Sequence, residues 1–171
     1  LKASNNLAKE KGKCDYFDRT KYADGILPID TYKKDIDEVV GTKYTCNWEK
    51  LRKDIMKTGL RHSTLSAQMP SESSSVVGNA TNGIEPPRGY LSIKKSKKGP
   101  LKQIVPEYSR LKNFYTLLWD MPGNEGYINI VGAMQKYFDQ AISGNWSYNP
   151  TQYEDNEVPA SVMIKDLLTT Y

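Results

Sequence analysis

The chain has 171 residues, 38% hydrophobic and 26% charged, which suits one globular domain with a real core. A net charge of +4 is too small to argue for a polyanionic partner by itself. Two cysteines without Cys-x-x-Cys spacing and one histidine indicate neither a disulfide framework nor a zinc centre. No apolar run is long enough to span a bilayer and no secretory pattern opens the chain, so it reads as cytoplasmic. The first residue is Leu1 rather than methionine, so trimming or excision is expected. The sequons at Asn79 and Asn145 read as chance matches.

In chain order, "LKASNNLAKEKGK" reads as the end of a helix stopped by Gly12, followed by an aromatic loop. Asp30 is placed as the N-cap of a helix over "TYKKDIDEVV", with Tyr32, Ile36, Val39 and Val40 on one face. Asn47 caps a second helix whose stripe is Trp48, Leu51 and Ile55, and Gly59 fits a left-handed C-cap. "LRHSTLSAQM" alternates as a strand does and stops at Pro70. "GYLSIKK" and "PLKQIVPEY" form a hairpin with a basic tip at Lys94–Lys98. "YSRLKNFYTLLWD" reads as helical, and a long amphipathic helix is expected from about Asn124 to Gly144. "VPASVMIKDLLTTY" is apolar-periodic and helical. Both ends read as cuts through elements of an α/β fold.

The stretch "SAQMPSESSSVVGNA" carries the chemistry. A strand, then Pro70, then Ser71 as the cap of a helix leave first-turn N–H groups of Glu72, Ser73 and Ser74 without intrahelical acceptors. Those donors and the positive helix end suit an anion, above all a phosphate, with hydroxyls from Ser71, Ser73 and Ser74 beside them. A capped helix with no ligand is the ordinary reading of such a serine cluster, and the Glu72 carboxylate opposes an anion unless it turns away. His62, near the strand start, is a candidate general base whose ordinary reading is a lone polar strand residue, and Asp120, Glu125 and Asp139 show no pairing for acid–base work. Cys14 and Cys46 have nothing nearby in sequence to lower their pKa. The basic hairpin is a solvated tip or, alternatively, a contact for nucleic acid or a protein.

Four stretches together, "GILPIDTYKKDID", "GLRHSTLSAQMPSESSS", "NATNGIEPPRGYLSIK" and "LLWDMPGNEGYINIVGAMQKYFDQAIS", resemble the large catalytic α subunit of class I ribonucleotide reductase. The likeness is to the bacterial and T-even-like phage aerobic form and extends over nearly the whole chain. It implies that residues 1–171 are a single fragment from the C-terminal portion of a ten-stranded α/β barrel. It also implies that Pro70, Ser71, Glu72, Ser73 and Ser74 hold the diphosphate of a ribonucleoside diphosphate. Ser73 stands where many members of the family carry threonine, which keeps a hydroxyl donor, and His62 stands where bacterial members have asparagine.

The same resemblance places the rest of the machinery elsewhere. The family reduces the ribose 2′ position by a thiyl-radical route. Its catalytic cysteine, redox cysteine pair and effector-binding region are expected upstream, and its radical-relaying tyrosine pair just past Tyr171. No catalytic residue and no metal ligand is therefore expected in this chain, which would be inactive alone. The implied partners are the remainder of the α subunit, a second α subunit and the small β subunit with its dimetal-tyrosyl radical. Thioredoxin or glutaredoxin would supply electrons, and ATP and deoxynucleotides would act as effectors outside this chain. Neither a membrane nor nucleic acid is expected as a partner. The rival reading is a catalytically dead, repurposed binding module that uses the Lys94–Lys98 hairpin.

Overall fold

A computed structural model describes residues 1–96 and 99–171, without the side chains of Glu72, Lys94 and Ser96. The chain forms two compact units: Leu1–Gln68 with Asn129–Ser143, and Met69–Ile128 with Gly144–Tyr171.

The first unit holds α1 (Lys2–Lys11), α2 (Pro28–Thr31), α3 (Asp37–Val40), α4 (Trp48–Thr58) and the latter part of α7 (Glu125–Gln135). Its core is built from Phe17, Tyr22, Leu27, Ile29, Tyr32, Ile36, Leu51, Ile55 and Leu60. Asn47 caps α4 as the sequence requires, its Oδ1 accepting from the Lys50 N–H at 3.0 Å. Gly59 ends α4 at φ 77°, where a Cβ would meet the Lys13 Cβ at 2.6 Å, so only glycine fits. Buried Asn5 ties α1 to that end, donating from Nδ2 to the Thr58 hydroxyl at 2.7 Å and the Gly59 carbonyl at 2.8 Å.

Two helices expected to be continuous are broken. Asp30 is not an N-cap but the third residue of α2, which starts earlier because Pro28 is preset for a first helical turn. Its carboxylate accepts from the Leu27 N–H at 2.7 Å and takes both Nη atoms of Arg52 at 2.6 and 3.0 Å. The chain then turns extended at Tyr32 and resumes as a 3₁₀ turn and α3. That break serves Lys136, which is 1% exposed. Its ammonium donates to Asp37 Oδ1 at 2.5 Å and the Gly41 carbonyl at 2.9 Å, and lies 5.0 Å from the Tyr32 ring centre. A buried ammonium needs such partners, and that requirement overrides local helix propensity.

α7 likewise stops at Gln135, nine residues short of the expected Gly144. The Gln135 side chain replaces the missing helical bonds, donating to the Phe138 and Gln140 carbonyls and accepting from the Ile142 N–H. The run Leu60–Met69 is not a strand. Among the described residues the only ladder is β1–β2, so this run has no neighbour to pair with.

The second unit contains α5 (Glu72–Val77), β1 (Leu91–Ser96), β2 (Gly99–Ile104), α6 (Tyr108–Leu111), the start of α7 and α8 (Ala160–Thr170). The hairpin forms as the sequence indicates, with Leu91 opposite Ile104 and Ser96 opposite Gly99. The expected helix over Tyr108–Asp120 breaks into α6 and two 3₁₀ turns. Part of the reason is competition for its backbone: the Leu118 N–H donates to the Pro87 carbonyl at 2.9 Å. α8 forms as expected, and its Asp166 accepts from Asn124 Nδ2 at 2.7 Å and the Tyr148 hydroxyl at 2.9 Å. Burial first, then Asp166, pushes the Tyr148 phenol up to about 12.

Ile55 is fully buried in the first unit, whereas Val39 is 61% exposed. Replacing Ile55 with alanine is expected to cost about 2–5 kcal/mol, and Val39→Ala within about 0.5 kcal/mol. Denaturant midpoints of the two variants measured side by side check this; equal midpoints would misplace the core.

Candidate functional site

Pro70 is exposed and precedes α5, with Ser71 at the N-cap position, Glu72 the first helical residue, and Ser73 and Ser74 in the first turn. A helix starts after Pro70 and Ser71 as the sequence indicates, but no strand leads into it and the capping differs. Ser71 has helical backbone angles (φ −79°, ψ −9°) and makes no side-chain capping bond. Instead its carbonyl accepts from the Ser74 N–H at 3.0 Å and the Ser74 hydroxyl at 2.5 Å. A hydroxyl used inward on its own turn is the usual behaviour of serine near a helix start. Ser71 and Ser73 are exposed, and Ser75 beneath them is 2% exposed. The Glu72 carboxylate, and hence the direction it takes, lies outside the described residues.

The loop closes through backbone. The Ser71 N–H donates to the Asn82 carbonyl at 2.7 Å, which pins both ends of a twelve-residue segment. α5 ends in a Schellman arrangement: the Ala80 N–H donates to the Ser75 carbonyl at 2.9 Å and the Asn79 N–H to that of Val76 at 3.3 Å. Asn79 takes the left-handed conformation this motif needs, at φ 47°. The role of Asn79 was missed in the sequence, though an asparagine two residues past the last helical residue is a known signal for it.

Upstream, Asp139 was also missed as a structural anchor. Its carboxylate accepts from the Leu65 N–H at 2.7 Å, the Ser66 N–H at 2.9 Å, the Ser66 hydroxyl at 3.1 Å and the Tyr22 phenol at 2.9 Å. These are backbone donors that a neighbouring strand would otherwise take. Burial alone would raise this carboxyl, but the Ser66 and Leu65 N–H groups and the two hydroxyls outweigh it and hold it low. No spacing rule links residues 73 positions apart, so the pairing was invisible in one sequence.

The other candidates fall into structural roles. His62 Nδ1 lies 2.9 Å from the Ser4 hydroxyl, which also accepts the His62 N–H at 3.2 Å. Cys14 is half-buried against the first core and Cys46 is exposed; both are free thiols. Lys97 and Lys98, at the basic hairpin tip, lie outside the described residues, as does the Lys94 side chain. Among the described residues no three histidine, cysteine, aspartate or glutamate side chains gather as metal ligands would. No helix there is long and apolar enough to cross a membrane.

Residues 1–113 match the family described as ribonucleotide reductase, barrel domain, a match that runs through residues of both units and covers the serine loop and the hairpin. This chain belongs to that family. Over all 171 residues it is 62% identical to the ribonucleoside-diphosphate reductase subunit alpha of Haemophilus influenzae, and 58% identical to the ribonucleoside-diphosphate reductase 1 subunit alpha of Escherichia coli. Over 170 residues, 98% of this chain, it is 46% identical to the ribonucleoside-diphosphate reductase subunit alpha of Enterobacteria phage T4. The chain spans only 22–23% of the length of these relatives. Helices and, among the described residues, a single two-stranded hairpin are thus the elements of a partial α/β barrel.

Three carboxyls in the first unit are held below their ordinary value of about 3.9: Asp30 by Arg52, Asp37 by Lys136 and Tyr32, and Asp139 as above. A lowered folded-state pKa means the unfolded chain binds more protons in that window, so stability there rises with pH. The stabilisation is present above about pH 4 and is lost as pH falls through the lower folded values. Urea midpoints are expected to stay level from about pH 5 to 7 and fall steeply below about pH 4. Asp139→Asn should make that acid limb shallower; an unchanged slope would show that Asp139 is not held low.

Proposed function

We propose that this chain is the segment of a ribonucleoside-diphosphate reductase α subunit that receives the substrate diphosphate at Pro70–Ser74. The observation that carries the reading is the 62% identity over all 171 residues with a protein of that name. The local geometry supports it. The Ser74 N–H is taken by the Ser71 carbonyl, which leaves the Glu72 and Ser73 N–H groups as the first-turn donors without an acceptor within the helix, and Ser71 and Ser73 are exposed beside them. Such a turn binds an anion with oriented backbone and hydroxyl donors, without needing lysine. The role of this chain is to bind and orient substrate. The radical chemistry that replaces the 2′-hydroxyl belongs to cysteines elsewhere in the α subunit, and the dimetal-tyrosyl radical to the small subunit. The whole of residues 1–171 is taken as one piece of the barrel domain, in a cytoplasmic enzyme that draws electrons from thioredoxin or glutaredoxin.

Exposed apolar faces support assembly with the remainder of the subunit. On α8, Met163, Ile164, Leu167 and Leu168 are 44–66% exposed, and on the hairpin Leu91, Ile93 and Ile104 share one face and are 51–57% exposed. Faces of this kind mark surfaces that are covered in the working molecule.

Two outcomes test the proposal. In a complete α subunit supplied with its small subunit, Ser71→Ala combined with Ser73→Ala should raise KM for the ribonucleoside diphosphate roughly ten- to a hundredfold. That follows from about 1.5–3 kcal/mol for a hydrogen bond to a charged group. An unchanged KM removes the loop from the site. Charging α8 with Ile164→Glu and Leu167→Glu should abolish co-purification with the rest of the subunit when the two pieces are co-expressed. Retained assembly would show that this face is not covered by it.

A further inference from the structure

The twelve-residue segment from Ser71 to Asn82 is closed at its base by the bond between those two residues. Its far turn is gripped from the hairpin. Gln103 on β2 donates from Nε2 to the Ala80 carbonyl at 3.0 Å. Because that partner can only accept, the orientation of the amide is settled by the bond itself. Gln103 is held in turn by the ladder, where it pairs with Ser92, and its own carbonyl accepts from the Ser92 hydroxyl at 3.4 Å. The Ala80 N–H is already committed to the Ser75 carbonyl, so both sides of this residue are fixed, one by α5 and one by β2.

We infer that Gln103 is a positioning residue for the diphosphate loop, holding its exit turn on the hairpin so that the α5 N-terminus keeps one orientation. The inference rests on the reading that Pro70–Ser74 receives the diphosphate. Gln103 touches no substrate; it acts through Ala80, the Schellman turn at Asn79 and the six residues of α5. An exposed carbonyl that loses this partner is hydrated by water, so the global fold keeps its stability. What is lost is the pre-set aim of the first-turn donors, and with it part of the affinity for the diphosphate.

The test uses a complete α subunit with its small subunit and two variants: Gln103→Ala, which removes the side chain, and Gln103→Glu, which keeps its length but has no donor at neutral pH. Both are expected to raise KM for the ribonucleoside diphosphate about three- to tenfold, from the net worth of one neutral hydrogen bond. kcat at saturation and Tm should stay as in the unmodified protein. The parent nucleoside, lacking the diphosphate and measured as a competitive inhibitor, should bind as before. An unchanged KM in both variants overturns the inference, and so does equal weakening of nucleoside and nucleoside diphosphate. A fall in Tm that tracks the rise in KM overturns it too. The serine pair is assayed alongside. If Ser71→Ala with Ser73→Ala raises KM while the Gln103 variants do not, the positioning role fails and the diphosphate reading stands. If the serine pair also leaves KM unchanged, both fall.

Discussion

The extended run after α4 depends on one carboxylate. Backbone N–H groups must be satisfied, and in a barrel an extended run is satisfied by strands on either side. Among the described residues Leu65 and Ser66 have no such neighbour, and Asp139 takes both N–H groups together with two hydroxyls. The contact is reciprocal, since the Asp139 N–H donates to the Ser66 hydroxyl at 3.2 Å. α7 must end before Asp139 for this to happen, and Gln135 supplies the bonds that let it end there.

The loop itself follows a different logic. A six-residue helix has little intrinsic stability, because nucleation costs more than so few hydrogen bonds return. Its persistence rests on external closure: the Ser71–Asn82 bond, the Schellman pair at Asn79 and Ala80, and the grip of Gln103. Such an arrangement suits anion binding by backbone. The donors are useful only if their direction is set before the ligand arrives, and direction is what closure fixes. The Ser74 hydroxyl is turned to the Ser71 carbonyl, which leaves those of Ser71 and Ser73 as the exposed hydroxyls of the turn.

The legible parts of the sequence were those in which local chemistry decides structure. Asn47, Gly59 and the Trp48–Leu51–Ile55 stripe specify α4 with residues no more than a few positions apart, and the two short runs around the basic turn specify the hairpin. Pro70 and Ser71 likewise mark the loop. The sequence was misleading wherever a distant group took over a local bond. The helix expected from Thr31 breaks for Lys136, about a hundred residues away, and the strand expected at Leu60–Met69 gives the Leu65 and Ser66 N–H groups to Asp139. Alternation of side chains indicates that a run is extended, not that a partner exists to make it a strand. Gln103 reads in sequence as an ordinary strand residue, because only the folded register brings it to Ala80.

The distribution of apolar surface carries the argument one step further. The first unit has a core in which Leu27, Ile55 and Leu60 are at most 1% exposed. Among the described residues of the second unit, buried apolar side chains are few, Val105, Tyr127 and Ile128, while α8 and the hairpin hold aliphatic faces in the open. Burial of such faces is the main favourable term available to a fold of this size, at about 25 cal/mol per Å². The loop proposed to meet substrate lies in the second unit, so its order is linked to whatever covers those faces. A partner that binds only the folded form stabilises it by mass action. On the proposed reading, substrate affinity and assembly are coupled through one element: the hairpin that exposes Leu91, Ile93 and Ile104 also carries Gln103, which holds the Ala80 carbonyl.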